Sequence, residues 1–98
     1  MAFVQIIDYR CSRFDEMQKL GEEWEAAAAD TSTTQRVVMG RDRNDPDHFL
    51  TMAFFESYES AMENSDNPVT QEFSQKMGAL ADGPPTFYDL DVVRDEVR

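Results

Sequence analysis

His48 is the only histidine in the chain, and it stands in "NDPDHFLTMAFFE", after a turn and before an apolar run. An imidazole at such a place could act as a general base or as the axial ligand of a haem iron. Asp45 and Asp47 lie close to it in sequence, however, and the position suits a half-exposed hairpin residue that opens a strand. That second reading is favoured. Cys11, the only cysteine, falls where a strand gives way to a helix, and a helix N-terminus can lower a thiol pKa. The nearby acids oppose this and no second histidine is at hand as base, so a structural cysteine is expected. Asp8, Asp89 and Asp91 would approach one another if the first and last strands pair, and converging carboxylates can bind a metal or share a proton. Alternation places Asp8 on the face opposite Asp89 and Asp91, which favours solvated strand edges instead. One histidine and one cysteine supply no zinc ligand set.

The remaining candidates are aromatic or cationic. Tyr9, Tyr58, Tyr88, Trp24 and the phenylalanines could line a pocket for an aromatic molecule, although at strand or helix spacing most belong to a core. Arg36 could hold a carboxylate or phenolate through a charge-assisted hydrogen bond. An ion pair with Asp89, or with an acid of a partner subunit, accounts for it equally well.

The elements that must position these groups follow from periodicity. "AFVQIIDYR" alternates as a strand, with Val4 and Ile6 on one face and Phe3, Gln5, Ile7 and Tyr9 on the other. In "CSRFDEM" the period changes to helical. Ser12 resembles an N-cap with Asp15 as its returning acid, and Phe14, Met17, Leu20, Trp24, Ala27 and Ala28 form an apolar stripe over about residues 13–29. "TQRVVMGRD" and "HFLTMAFFE" are β-rich runs separated by the turn "RNDPD", and should pair as an antiparallel hairpin. Ser57 can cap a second helical region. Asn67-Pro68 interrupts that region, and a further helix can restart at Pro68 with Val69, Phe73, Met77 and Leu80 on its apolar face. "DGPP" stops it, and "TFYDLDVV" alternates as a last strand.

The order βαββαβ predicts a single α+β domain over residues 1–98, ferredoxin-like, with a four-stranded antiparallel sheet. Val4, Ile6, Val37, Met39, Leu50, Met52, Phe54, Leu90 and Val92 suit the face that the helices cover. The opposite parity carries Gln5, Ile7, Tyr9, Arg36, Val38, Thr51, Ala53, Phe55, Phe87 and Asp89, a set too apolar for water and too polar for a plain core. Such a face suits a sheet-to-sheet homodimer that encloses a cavity. Ligand contacts are then expected from Gln5, Arg36 and Thr51, with Ile7, Tyr9, Ala53 and Phe55 as apolar walls.

Composition narrows the partners. Twenty acidic residues face nine basic ones, for a formal net charge of −11. Phosphate backbones and anionic membrane surfaces are met by Lys and Arg, so neither is an expected partner. No apolar run is long enough to span a bilayer, and the N-terminus enters a strand pattern at once, so a cytoplasmic protein is expected.

The stretch "RDRNDPDHFLTMAFFESYESAMENSDNP" through "FSQKM" to "PTFYDLDV" resembles the antibiotic biosynthesis monooxygenase group of dimeric α/β barrels. The resemblance is one of pattern and spans nearly the whole chain. It implies a homodimer whose paired sheets make an α/β barrel, with a pocket in each subunit between sheet and helices or near the sheet interface. Members include cofactor-free oxygenases of polyketide-like phenols, haem-degrading oxygenases and proteins of no assigned reaction. The haem-degrading members use an asparagine on the first strand, then a tryptophan and a histidine on and after the second helical segment. Those places fall here near Ile7 or Asp8, Met62 to Asn64, and Glu72 to Phe73, with neither tryptophan nor histidine among them. Haem degradation is therefore not expected, and no cofactor or metal is. For the cofactor-free chemistry, Asn64 and Tyr58 or Tyr9 are the available stand-ins for the group's Asn, Trp and Tyr.

Two functions remain open. One is a cofactor-independent monooxygenase acting on an aromatic or polyketide-like small molecule, whose substrate carbanion itself reduces oxygen while the protein orients it and excludes water. The other is a non-catalytic small-molecule-binding or dimerisation module. Fold alone does not choose between them.

Overall fold

A computed structural model of the chain describes residues 2–98. Its elements are β1 (Phe3–Arg10), α1 (Phe14–Ala28), β2 (Arg36–Arg41), β3 (His48–Phe55), α2 (Tyr58–Asp66), α3 (Pro68–Leu80) and β4 (Thr86–Asp91). The strands form one antiparallel sheet of order β2-β3-β1-β4, the ferredoxin-like arrangement. The barrel expected from the sequence is overturned. The sheet is open, with β2 and β4 as its two edges. Four strands of six to eight residues are about half what a closed barrel with a packed interior requires.

The second helical region is two helices, for a local reason. Asn67 adopts φ −65°, ψ 125°, the extended geometry that a following proline imposes, and Pro68 takes the first helical position of α3. Asn67 also caps α3, its Oδ1 accepting from Val69 N at 3.0 Å while its Nδ2 donates to Thr31 Oγ1 at 2.8 Å. Asn67→Ala should lower stability by about 1 kcal/mol, read from the denaturant midpoint at unchanged slope. Ser57 caps α2 as expected, accepting from Ser60 N. Ser12 does not cap α1. The N-cap there is Arg13, without a side-chain bond, and Ser12 N instead donates to Asp82 Oδ2 at 2.7 Å. Asp82 N donates to Arg10 O at 2.7 Å, so the loop after α3 is fastened to the loop after β1. Gly83, at φ +117°, makes the turn that brings this loop into β4.

Register decides which side chains face the helices, and it reverses part of the expectation. Tyr9 and Phe49 pack with Met17 and Leu20 of α1 and Met77 of α3, while Phe3 and Phe55 pack with Ala61 of α2. Pairing then puts Phe3, Gln5, Ile7 and Tyr9 of β1 and Phe49, Thr51, Ala53 and Phe55 of β3 on the helix side. Val37 and Met39 share that side, as expected, and so do Phe87 and Asp89. Val4, Ile6, Leu50, Met52, Phe54 and Leu90, expected under the helices, lie on the free face. The physical reason is the end residues of the strands. Phe3, Tyr9, Phe49 and Phe55 remove more apolar area from water than the aliphatic set does, and they outweigh the polar Gln5 and Thr51 between them.

Candidate functional site

The core is divided. β1 and β3 are the central strands, and at both ends their helix-side residues are aromatic and only 1–3% exposed. Midway along the same strands, on the same face, Gln5, Ile7, Thr51 and Ala53 are only half-buried. Ile7 packs against the first aromatic cluster and Ala53 against the second, so the two clusters stand as pillars at the ends of this face with a less covered stretch between them. On the edge strands the helix-side residues are more open still, with Val37 and Met39 each 43% exposed and Phe87 54% exposed.

The stretch between the pillars carries few polar groups. Tyr9 Oη lies 3.3 Å from Thr51 Oγ1, and Gln5 Nε2 donates to Asp89 Oδ1 at 3.2 Å. Burial raises the Tyr9 pKa against the opposing effect of the Thr51 hydrogen bond, so the phenol keeps its proton at neutral pH. Asn64, one helical turn after the inward Ala61, is a buried polar side chain at 6% exposure, with its Oδ1 3.1 Å from Ser32 Oγ. Sequence reasoning treated it only as a stand-in within a family pattern. A polar residue three positions after an inward alanine on a short amphipathic helix was the available signal.

Six of the seven expected ligand contacts share one face, though it is the face that the helices cover. Gln5, Ile7, Thr51 and Ala53 lie in the stretch between the pillars, to which Tyr9 and Phe55 belong. Arg36 is separated from them. It sits on the free face with its guanidinium over the Phe54 ring, 5.6 Å from the centroid, across the sheet from Asp89. The ion pair with Asp89 therefore does not form.

The other candidates are accounted for locally. Cys11 is buried, its Sγ 3.6 Å from Leu80 O and accepting from Arg13 N at 3.4 Å, a structural role. Asp8 lies on the free face and Asp89 and Asp91 on the helix side, so the three carboxylates do not converge. Trp24 packs on Phe73 between α1 and α3, with Nε1 3.4 Å from Thr70 Oγ1. A groove of about 150 Å³ runs beside it, where Glu23 also lies and where Lys76 and Glu72 pair with each other at 3.1 Å. His48 opens β3 as expected. It does so on the free face, and its ring is held by Asp8 and Asp42 rather than by the nearer Asp45 and Asp47. Among the described residues, no group of three or more His, Cys, Asp or Glu side chains is placed to hold a metal ion. Nor is any helix there long and apolar enough to cross a membrane.

No protein-family model matches the sequence, and no curated protein matches it. Solved structures do match. SnoaB, a cofactor-independent oxygenase from Streptomyces nogalater, superposes with a TM-score of 0.82 at 10% identity, over 96% of this chain and 95% of that one. Rv0793 from Mycobacterium tuberculosis gives 0.80 at 9% identity, over 99% and 100%. A further structure described as an antibiotic biosynthesis monooxygenase gives 0.75 at 16% identity, over 96% and 100%. The likeness is one of fold, and the fold is that of the antibiotic biosynthesis monooxygenase structures.

Proposed function

We propose that this chain binds a small electron-rich aromatic molecule in the cleft between the sheet centre and the helices, and oxidises it with molecular oxygen without a cofactor. The observation that carries the reading is the divided core, which leaves Gln5, Ile7, Thr51 and Ala53 half-buried where a filled domain would bury them. A mostly apolar cleft with a few fixed hydrogen-bonding groups suits a flat phenolic ligand. The fold shared with SnoaB, described as a cofactor-independent oxygenase, supports the chemistry.

In that chemistry an activated CH₂ loses a proton, the carbanion passes an electron to O₂, and the radical pair joins as a peroxide. Loss of water leaves C=O, so CH₂ and O₂ become C=O and H₂O. The cleft's part is to hold the substrate oxygen against the Thr51 and Gln5 donors and to keep the carbanion from water. One observation favours the non-catalytic alternative. Gln5 and Thr51 take no proton near neutrality, and burial holds Tyr9 in its neutral form.

Anthrone, a simple CH₂-acidic phenol precursor, separates the readings. Oxygen uptake above the buffer rate, lost in Ala53→Trp with the melting temperature kept within about 3 °C, supports the oxygenase. Saturable quenching of Trp24 fluorescence without oxygen uptake assigns a binding module. Neither signal, at anthrone concentrations up to its solubility, rejects the cleft as a site for this class.

The chain also self-associates through the free sheet face in this reading. Ile6, Leu50, Met52, Phe54 and Leu90 lie around the buried Val4 and make an apolar surface there, of the kind that soluble monomers rarely leave to water. The partner is a second copy of the same chain.

A further inference from the structure

His48 makes an arrangement that the cleft does not use. Its Nε2 lies 2.7 Å from Asp8 Oδ1 and its Nδ1 lies 2.9 Å from Asp42 Oδ2. An ionised carboxylate only accepts hydrogen bonds, so both ring nitrogens must donate, and only the imidazolium donates from both. A neutral ring would turn one nitrogen lone pair towards a carboxylate. We infer that His48 is a cationic latch fastening the 42–47 turn of the β2–β3 hairpin to β1, and that losing its proton frees this end of the molecule.

The surrounding charges isolate the latch. From β1, Asp8 accepts from the ring, and Arg10 is the cross-strand partner of His48. Arg10 is already engaged, its Nη1 2.6 Å from Asp45 Oδ2. From the turn, Asp42 is the second acceptor, while Asp47 contributes through its backbone. β4 brings only the uncharged Thr86, opposite Asp8. What the latch holds is a continuous set of backbone bonds. Asp42 N donates to His48 O at 2.9 Å, His48 N to Asp45 O at 3.0 Å, and Cys11 N to Asp47 O at 2.8 Å. The last of these ties the turn to the junction between β1 and α1, so loosening the turn reaches the buried cysteine. The ring is 25% exposed, which lets a proton leave without global unfolding.

The sign of the pH dependence follows from the two partners. Hydrogen bonds to Asp42 and then Asp8 raise the His48 pKa above its ordinary 6.5, so its contribution is full below that value and is lost as pH climbs through the higher one. The bond to His48 lowers the Asp42 pKa below 3.8, so that contribution is full above 3.8 and is lost as pH falls through the lower value. The latch is tightest between the two.

Nitrogen NMR and amide hydrogen exchange on the full chain test this. At about pH 6 both His48 ring nitrogens should show imidazolium shifts. Between about pH 6 and about pH 9, protection of the Cys11, Asp42 and His48 amides, corrected for intrinsic exchange, should fall by about tenfold. In His48→Gln it should be low at both pH values, with the β1–β4 amides still protected as proof of folding. Should that variant not fold, Asp42→Asn serves, and it should lower the pH at which His48 titrates. A neutral tautomer at about pH 6, pH-independent protection in the unmodified chain, or an unmoved titration in Asp42→Asn overturns the proposal.

Discussion

Phe49→Ala should leave the chain unfolded or close to it at 37 °C. Phe49 is 1% exposed and stacks between Tyr9 and Phe14, with ring centroids at 5.8 and 5.0 Å. The Arg41 guanidinium covers the outer side, 5.1 Å from the Phe49 centroid and 4.5 Å from that of Phe14. Truncation removes the shared member of two stacks and leaves a void that the strand backbone cannot close. Such changes cost about 3–5 kcal/mol, where a domain of this size has about 5–15 kcal/mol in all. At about 4–8 °C per kcal/mol, Tm should fall by more than about 12 °C. The check is circular dichroism on heating. A fall of less than about 5 °C would mean that the Tyr9–Phe49–Phe14 stack is not the principal support of that end of the sheet.

The second large effect is expected at the free face. Met52 pairs with Ile6 on one side and Val38 on the other, at the middle of the apolar surface. If a second copy covers this face, Met52→Glu places an unpaired carboxylate inside a dry contact, at a cost of several kcal/mol per interface. Sedimentation equilibrium at about 20 μM should then show twice the chain mass for the unmodified protein and the single mass for the variant, a weakening of at least about a hundredfold. The variant should still melt cooperatively, because Met52 is only half-buried within one chain. An unmodified protein that sediments at the single mass under these conditions rules out self-association through this face.

The elements themselves were legible in the sequence because each carried its own period and its own punctuation. The Ser57 cap, the Asn67-Pro68 break and the "DGPP" stop all appear where local chemistry puts them. The face assignment was not legible, and the cause lies in β1 and β3. Both parities of these strands are apolar, so alternation alone leaves the sign open, and the decision rests on packing between Phe3 and Phe55 and between Tyr9 and Phe49 across forty or more residues of chain. Grouping Gln5, Ile7, Tyr9, Thr51, Ala53 and Phe55 survived this reversal, because pairing register keeps them together whichever face they take. Arg36 did not stay with them. β2 has one end-to-end register with β3, and in it Arg36 opposes Phe54 rather than Ala53. The Asp8–His48–Asp42 arrangement was also out of reach. Asp8 and His48 are brought together by strand pairing across 40 residues, while the nearer acids in sequence turn elsewhere.

The joint at Asn67-Pro68 has a consequence for cooperativity. α2 leans on the Phe3–Phe55 pillar and α3 on the Tyr9–Phe49 pillar, and the extended residue between them means that neither helix continues the other's hydrogen-bond ladder. Pro68 has no N–H to give, so the ladder is interrupted by covalent structure as well as by geometry. Each helix then covers its own half of the core, although the two still touch where they meet. Two separately opening units are the pattern of amide exchange to expect from this joint. The α2 end, with the smaller cluster and the polar contacts of Ser32 and Asn64, can open while the α1–α3 end stays closed. A molecule entering the cleft would then have a way in that leaves most of the fold standing.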